Sequence, residues 1–275
     1  MTRMIRSANH SSYPIHAGES RDEVTEAIVV AEQSRAFLDV VTDGQVRWSG
    51  PLAHPAACLD SDLRRIAPIA VPGYVAASAV TPRPVKVSLP GPATLRLHVG
   101  RSHGALRPLA DALAEEVREL GGAGCRWFQL EEPLLNDIGE ARACAEVFAA
   151  APAGSVTVLW VRPEKVTALG DALPGTHLGL DLADPAALEV LAHLPPGRGV
   201  ALGLFDAGSD MLEDADDVAA RLQPFQEALA GRDLLVGPNG GLAALPRDVA
   251  FEKLLQARYL AEGLRRKWSL SASPR

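Results

Sequence analysis

From residue 105 onward, short apolar runs alternate with longer segments in which apolar residues recur at helical spacing, and Gly or Pro marks the joints. The clearest helix is predicted at 106–120, where one apolar face ends at Gly121 and Gly122. This alternation is typical of a parallel α/β fold. It predicts strands at 125–130, 155–161, 176–182, 200–205 and 234–236, and helices at 138–150, 164–173, 184–193, 214–229 and 248–267.

The first part of the chain supplies three more predicted strands, at 11–15, 38–41 and 85–89, and a helix at 22–35. Eight strands favour a single-domain (β/α)8 TIM barrel over residues 1–275, because a doubly wound sheet accounts for only five or six. Residues 46–84 are rich in Ala and Pro and weakly periodic. We expect them to form an irregular excursion over one barrel end.

Composition and charge bear on which kinds of partner the protein can bind. The chain has 275 residues, is 47% hydrophobic and carries a formal net charge of -7. It has no Lys/Arg stripe, so no nucleic-acid partner is predicted. There is no apolar run of about 20 residues and no secretory h-region, so we expect a cytoplasmic protein without a membrane partner. The three cysteines, Cys58, Cys125 and Cys144, are too far apart in sequence to indicate a disulfide framework or a thiolate metal site.

Polar residues stand where the predicted strands end, which is the face of such barrels that carries the chemistry. Converging carboxylates can act as general acid and base, or can bind the amino group of a small substrate. The candidates are Asp43 after the second strand, Lys86 in the third, Glu131 and Glu132 after the fourth, Trp160 and Arg162 around the end of the fifth, Asp181 at the end of the sixth, Asp206 after the seventh and Asn239 after the eighth.

Several of these residues also have a structural interpretation. Asp181 and Asp206 could cap the helices that follow them, since Asp is a favoured N-cap residue. Lys86 could pair with a barrel carboxylate purely for stability. His98 and His103, in a Gly-containing loop, could be solvated. The histidines form neither an H-x-H nor an H-E-x-x-H pattern, so their spacing predicts no metal site.

Several segments, in order along the chain, resemble cobalamin-independent methionine synthase. Residues 86–94, KVSLPGPAT, resemble its K-x-x-L-T-G-P-x-T segment, and residues 128–134, FQLEEPL, resemble I-Q-I-D-E-P-A. Weaker matches are SSYP at 11–14 to G-S-Y-P, DVVTDGQ at 39–45 to D-V-x-T-D-G-E, GLFD at 203–206 to G-V-x-D, and PNGGL at 238–242 to P-D-C-G-L. The resemblance implies a (β/α)8 barrel, and it implies that Glu131 binds a substrate amino group.

The departures from this family concern its metal. The resemblance implies zinc held by a His and a Cys after strand five, a Glu after strand six and the Cys of P-D-C-G-L. Here 156–161 is VTVLWV, no His or Cys lies between Phe148 and Thr176, Gly240 stands at the second cysteine and only Asp181 matches the Glu. One carboxylate cannot replace a four-ligand soft site, so no metal is predicted. The Trp of the folate-stacking position falls near His98, so no cofactor is predicted at all.

Three hypotheses follow. The first is a divergent enzyme that acts on a small polar, amino-acid-like molecule by metal-independent acid–base or group-transfer chemistry, as a transferase, lyase or isomerase. The second is a methyltransferase whose acceptor is already activated, and the third is a non-catalytic small-molecule-binding homologue. Whether the chain forms a homo-oligomer stays open. The predicted catalytic residues are Glu131, Asp206, Lys86 and Asp181; the predicted substrate-binding residues are Ser12, Asp43, His98, Glu132, Trp160, Arg162 and Asn239.

Overall fold

A computed structural model describes residues 4–14 and 25–270. Within them, seven parallel strands alternate with helices along the chain. The strands are β1 Ile5–Ser7, β2 Lys86–Pro90, β3 Trp127–Glu131, β4 Val156–Val161, β5 His177–Asp181, β6 Gly199–Phe205 and β7 Leu234–Pro238. The α-helices are α1 Glu26–Arg35, α2 Ala53–Ala57, α3 Val71–Ser78, α4 Pro92–His98, α5 Leu106–Gly122, α6 Ile138–Ala149, α7 Pro163–Leu169, α8 Ala215–Leu222, α9 Gln226–Leu229 and α10 Arg247–Leu270.

The strands form one sheet in the order β1-β7-β6-β5-β4-β3-β2, so β2 to β6 each neighbour the next strand in sequence. The sheet curls until its two edge strands approach the same segment. Val40 bridges to Ala8, just beyond β1, and Val41 bridges to Val85, just before β2. Parallel pairing of this kind points the carboxyl ends of all the strands to one face, and a side chain at each strand end can reach its neighbours there.

The parallel α/β fold and six of the predicted strands are confirmed: the strand predicted at 85–89 is β2, and the five predicted after residue 105 are β3 to β7. The strand predicted at 11–15 is wrong: β1 is Ile5–Ser7, which pairs with β7, and residue 15 lies outside the described residues. Three residues are too few to show a strand period, so the pattern gave no signal there. The strand predicted at 38–41 makes only isolated bridges.

The helices follow the prediction with local differences. The predicted helix at 184–193 is a 3-10 helix, Pro185–His193, and α1 begins at Glu26, residues 22–24 being outside the described part. The 46–84 segment contains two short helices, α2 and α3, and α3 packs against α1 and α5. No helix in the described ranges combines the length and apolar composition of a membrane span.

Glu116 on α5 holds this segment in place. Its side chain is fully buried, and its two carboxylate oxygens accept hydrogen bonds from the backbone N–H groups of Ile69, Ala70 and Val71 at 2.6–3.0 Å. The guanidinium of Arg65 lies 2.6 Å from Oε2. The carboxylate thus accepts hydrogen bonds from the N–H of Val71, the first residue of α3, and from those of the two residues before it.

Glu116→Ala is expected to lower the free energy of unfolding by about 3–5 kcal/mol, because it leaves the N–H groups of residues 69–71 without their acceptor and removes the buried carboxylate that pairs with Arg65. The measurement is urea unfolding. Glu115→Ala is the matched control: Glu115 also lies 3.2 Å from Arg65, but its side chain is 55% exposed, and such pairs are worth less than about 1 kcal/mol. Equal losses in the two variants would contradict this role.

Candidate functional site

Two cavities open at the carboxyl ends of the strands. The first, the Glu131 cavity, has a volume of about 600 Å³. The second, the Asp181 cavity, has a volume of about 990 Å³. The loop after β7 borders both, since Asn239 lines the larger and Gly241 the smaller. The Glu131 cavity is lined by Glu131, Ser11, Ser12, Tyr13, Gln45 and Trp48, among others. The Asp181 cavity is lined by Asp181, Asp206, Asn239, Arg162, His193 and Glu213, among others.

Glu131, the last residue of β3, is the charged centre of the smaller cavity. Its Oε1 accepts a hydrogen bond from Ser88 Oγ at 2.5 Å and lies 3.2 Å from His10 Nε2. Burial raises the pKa of Glu131, but the attraction and hydrogen bond of His10, the hydrogen bond of Ser88 and the charge of Lys86 together lower it to about 2. Glu131 is therefore an ionised carboxylate at neutral pH, and 31% of its side chain is exposed.

Behind Glu131 lies a chain of buried polar side chains. Lys86 Nζ donates to Gln129 Oε1 at 2.5 Å, and Gln129 Nε2 donates to Ser88 Oγ at 3.1 Å and lies 3.2 Å from His10 Nε2. Burial lowers the pKa of Lys86 to about 7, against the opposite effect of Glu131. Lys86 is 2% exposed and lines neither of the two cavities. It therefore supports the site from the interior of the curled sheet.

His10, Ser88 and Gln129 are the functional candidates that sequence reasoning missed. His10 was missed because the first strand was placed at 11–15, whereas β1 ends at Ser7 and His10 follows it. Ser88 and Gln129 could have been found from the alternation of side chains between the two faces of β2 and β3. Ser88 lies two residues after Lys86, and Gln129 lies two residues before Glu131, so each pair shares one face of its strand.

The larger cavity contains most of the remaining predicted site residues. Asn239 Nδ2 donates to Asp181 Oδ1 at 2.9 Å, and Asn239 Oδ1 accepts from the backbone of Ala207 at 2.7 Å. Asp206 Oδ1 accepts from Gly208 N at 2.9 Å in a tight turn. The side-chain amide of Asn239 thereby links Asp181, at the end of β5, to Ala207 in the loop after β6. Arg162 borders this cavity, and its guanidinium lies 3.1 Å from Glu164.

Asp181 and Asp206 do not cap the helices that follow them. The caps are Asp184, which accepts from Ala186 N at the 3-10 helix, and Asp214, which accepts from the first residues of α8. Both predicted carboxylates are thus left at the cavity wall. The structure separates Asp206 from Glu131, however, because they border different cavities.

Four predicted substrate-binding residues line neither cavity: Glu132, Asp43, His98 and Trp160. Glu132 is fully buried and accepts from the N–H groups of Ala93 and Thr94 at the start of α4, and burial raises its pKa to about 7 against those hydrogen bonds. Asp43 is buried beside Gly73, and burial raises its pKa to about 6. His98 is an exposed residue at the end of α4. Glu132 therefore has a helix-capping role.

Trp160 fills the interior of the curled sheet beside His10, at the segment where the family resemblance implies zinc ligands. The two rings meet edge to face at 4.3 Å. Gly179 and Gly203 leave room for the indole: a Cβ atom would lie 2.2 Å from the ring at residue 179 and 2.8 Å at residue 203. An indole and the glycine at 240 provide no metal ligand. Among the described residues, no three His, Cys, Asp or Glu side chains are grouped so that they could hold a metal ion.

Comparisons with known proteins agree on one group of relatives. A family model described as the catalytic domain of cobalamin-independent synthase matches residues 178–263. A methionine synthase from Methanothermobacter marburgensis is 28% identical, with 82% of this chain and 84% of that protein covered. A 5-methyltetrahydropteroyltriglutamate–homocysteine methyltransferase from Streptomyces avermitilis is 29% identical, and this chain spans 32% of its length while 83% of this chain is covered.

Solved structures show the same fold. A B12-independent methionine synthase from Shewanella sp. W3-18-1, in complex with selenomethionine, superposes with a TM-score of 0.78 at 17% identity, covering 97% of this chain and 99% of that one. A vitamin-B12 independent methionine synthase structure from Listeria monocytogenes, described as putative, gives a TM-score of 0.67 at 18% identity, covering 96% and 99%.

The buried Lys86 predicts a specific pH dependence of stability. Its pKa falls from 10.5 in the unfolded chain to about 7 in the folded protein, so between these values the unfolded chain binds more protons and stability rises with pH. Compared with Lys86→Met, the unmodified protein should gain up to about 1.4 kcal/mol per pH unit over this range. Urea unfolding at several pH values measures the difference, and parallel profiles would contradict the burial of the amine.

Proposed function

Because this chain belongs to the family of the cobalamin-independent methionine synthase catalytic domain, we propose that it is an enzyme acting on a small, amino-acid-like substrate. The chemistry we propose is acid–base or group transfer without a metal. The observation that carries this proposal is the ionised Glu131, exposed at the wall of a cavity where the strands end. We further propose that residues 38–41, of which Val40 and Val41 bridge to the two sheet edges, complete a (β/α)8 barrel as its eighth strand.

Glu131 has the properties of an anchor for an ammonium group. Its low pKa keeps the carboxylate charged, so it is suited to bind a cation rather than to donate a proton. The cavity beside it adds the hydroxyl groups of Ser11 and Ser12 and the amide of Gln45, which can hydrogen-bond the carboxylate of an amino acid. The Shewanella relative was solved with selenomethionine, which is an amino acid.

The larger cavity would hold the second partner of a group transfer. It opens at the same face, and Arg162 and Asn239 offer hydrogen-bond donors there, while Asp181 and Asp206 offer carboxylates. We assign the acid–base role to Asp206, with Asp181 oriented by Asn239. Because Glu131 lies in the other cavity, the two carboxylates act on different groups: Glu131 binds, and Asp206 exchanges a proton.

The family resemblance implies zinc, which lowers the pKa of a bound thiol, and the residues here do not fit that ion. Trp160 and Gly240 replace its ligands, and the indole occupies the space above Gly179 and Gly203. We therefore propose a reaction that does not need a metal-bound thiolate, which excludes the ordinary methylation of homocysteine.

Glu131→Gln is expected to weaken the binding of L-methionine, used as a probe amino acid, by at least about tenfold, because it removes the charged partner of the ammonium group. Calorimetry measures the affinity, and thermal unfolding checks the fold. Glu227→Gln, an exposed carboxylate on α9 that lines neither cavity, is the control. An unchanged affinity of Glu131→Gln for L-methionine would contradict the proposed function. Tight binding without turnover on any small acid or amine would instead favour a binding homologue.

Elemental analysis of the purified, untagged protein is expected to give far less than one zinc ion per chain. A chelator should change neither the thermal unfolding temperature nor the affinity for L-methionine, since no residue group fits the ion. A zinc-dependent methyl-transfer assay with homocysteine should give no product. Stoichiometric zinc together with this activity would overturn the assignment of Trp160 and Gly240 and restore a methionine synthase.

A further inference from the structure

The surroundings of Glu131 point to a residue outside the predicted set. We propose that His10 is a positioning residue: its ring holds one oxygen of the Glu131 carboxylate, so that the other oxygen is presented to the ammonium group of the ligand. This inference rests on the proposed function, because it assumes that Glu131 binds an amine. What it adds is that His10 sets the orientation of the Glu131 carboxylate.

The two oxygens of Glu131 have unequal surroundings. Oε1 accepts from Ser88 Oγ at 2.5 Å and faces His10 Nε2 at 3.2 Å. Within the described residues, hydrogen-bond donors reach this oxygen only, and none reaches Oε2. Since 31% of the side chain is exposed and the residue borders the cavity, the free acceptor is the one available to a ligand.

The His10 ring is fixed by its neighbours. It is 4% exposed and packs against the indole of Trp160 in a T-shaped arrangement, with ring centroids 4.3 Å apart and planes at 83°. Its Nδ1 atom is buried without a hydrogen-bond partner among the described residues. A proton on Nδ1 alone would bury an unpaired donor and leave none for Glu131, whereas a proton on Nε2 lies between the ring and Glu131. The surroundings therefore favour Nε2–H.

Gln129 supports the same arrangement from behind. Lys86 donates to its Oε1, which turns its amide nitrogen toward Ser88 and His10. The nitrogen has acceptors in Ser88 Oγ at 3.1 Å and in the His10 carbonyl at 3.5 Å. It can thus be satisfied without the lone pair of His10 Nε2. The ring keeps its Nε2 proton for Glu131.

Two variants of His10 separate positioning from packing. His10→Phe keeps an aromatic ring beside Trp160 and removes the donor, and His10→Gln keeps a donor on a flexible side chain. The ligands are L-methionine and 4-(methylthio)butanoate, which lacks the amino group. We expect His10→Phe to weaken L-methionine binding about tenfold, the effect of losing one hydrogen bond to a charged group. Binding of the analogue should stay unchanged, and His10→Gln should lose no more than about threefold for L-methionine.

The outcomes distinguish this inference from the proposed function. If Glu131→Gln leaves L-methionine binding unchanged, the proposed function fails. If Glu131→Gln weakens it and His10→Phe does not, or if His10→Phe weakens both ligands equally, positioning by His10 is overturned while the anchor role of Glu131 stands. Nitrogen NMR of the unmodified protein, with His10→Gln used for assignment, gives a test independent of variant folding. We expect the Nε2–H form, and the Nδ1–H form would overturn the proposal.

Discussion

Parallel pairing between successive strands is the constraint from which the site follows. Each strand from β2 to β6 pairs in parallel with the next strand in sequence, so a helix connects each pair and the carboxyl ends of the strands lie at one face. Side chains as distant in sequence as His10 and Glu131 meet only because of this arrangement. The curl of the sheet adds a second condition, since it brings β1 within reach of β3 across the interior.

The indole of Trp160 fills the interior of the curled sheet next to β5 and β6. It occupies the space above two glycines on β5 and β6 and packs against the ring of His10. The polar side chains proposed to act on a substrate therefore lie at the walls of two cavities. One has a charged carboxylate with a serine-rich lining, and the other has several carboxylates with an arginine.

Much of the fold could be predicted from the sequence, because β3 to β7 are apolar runs separated by amphipathic helices and clear Gly or Pro joints. The first strand could not, since three residues are too short for a period. The placement of Glu131 at a strand end was also accessible. The division of Asp206 and Glu131 between cavities was not, because it depends on where the loop after β7 lies in space. The capping role of Glu132 was hidden for a similar reason: α4 begins some 40 residues earlier in the chain.

The fit of Trp160 over Gly179 and Gly203 makes these three positions epistatic. A Cβ atom at either glycine would overlap the indole, and replacing the indole by a smaller residue would leave a void above both, at a cost of about 3–5 kcal/mol. Neither side of the contact can change alone. A metal-ligating side chain at residue 160 would therefore need compensating substitutions on two other strands, and each single substitution toward such a site would destabilise the protein.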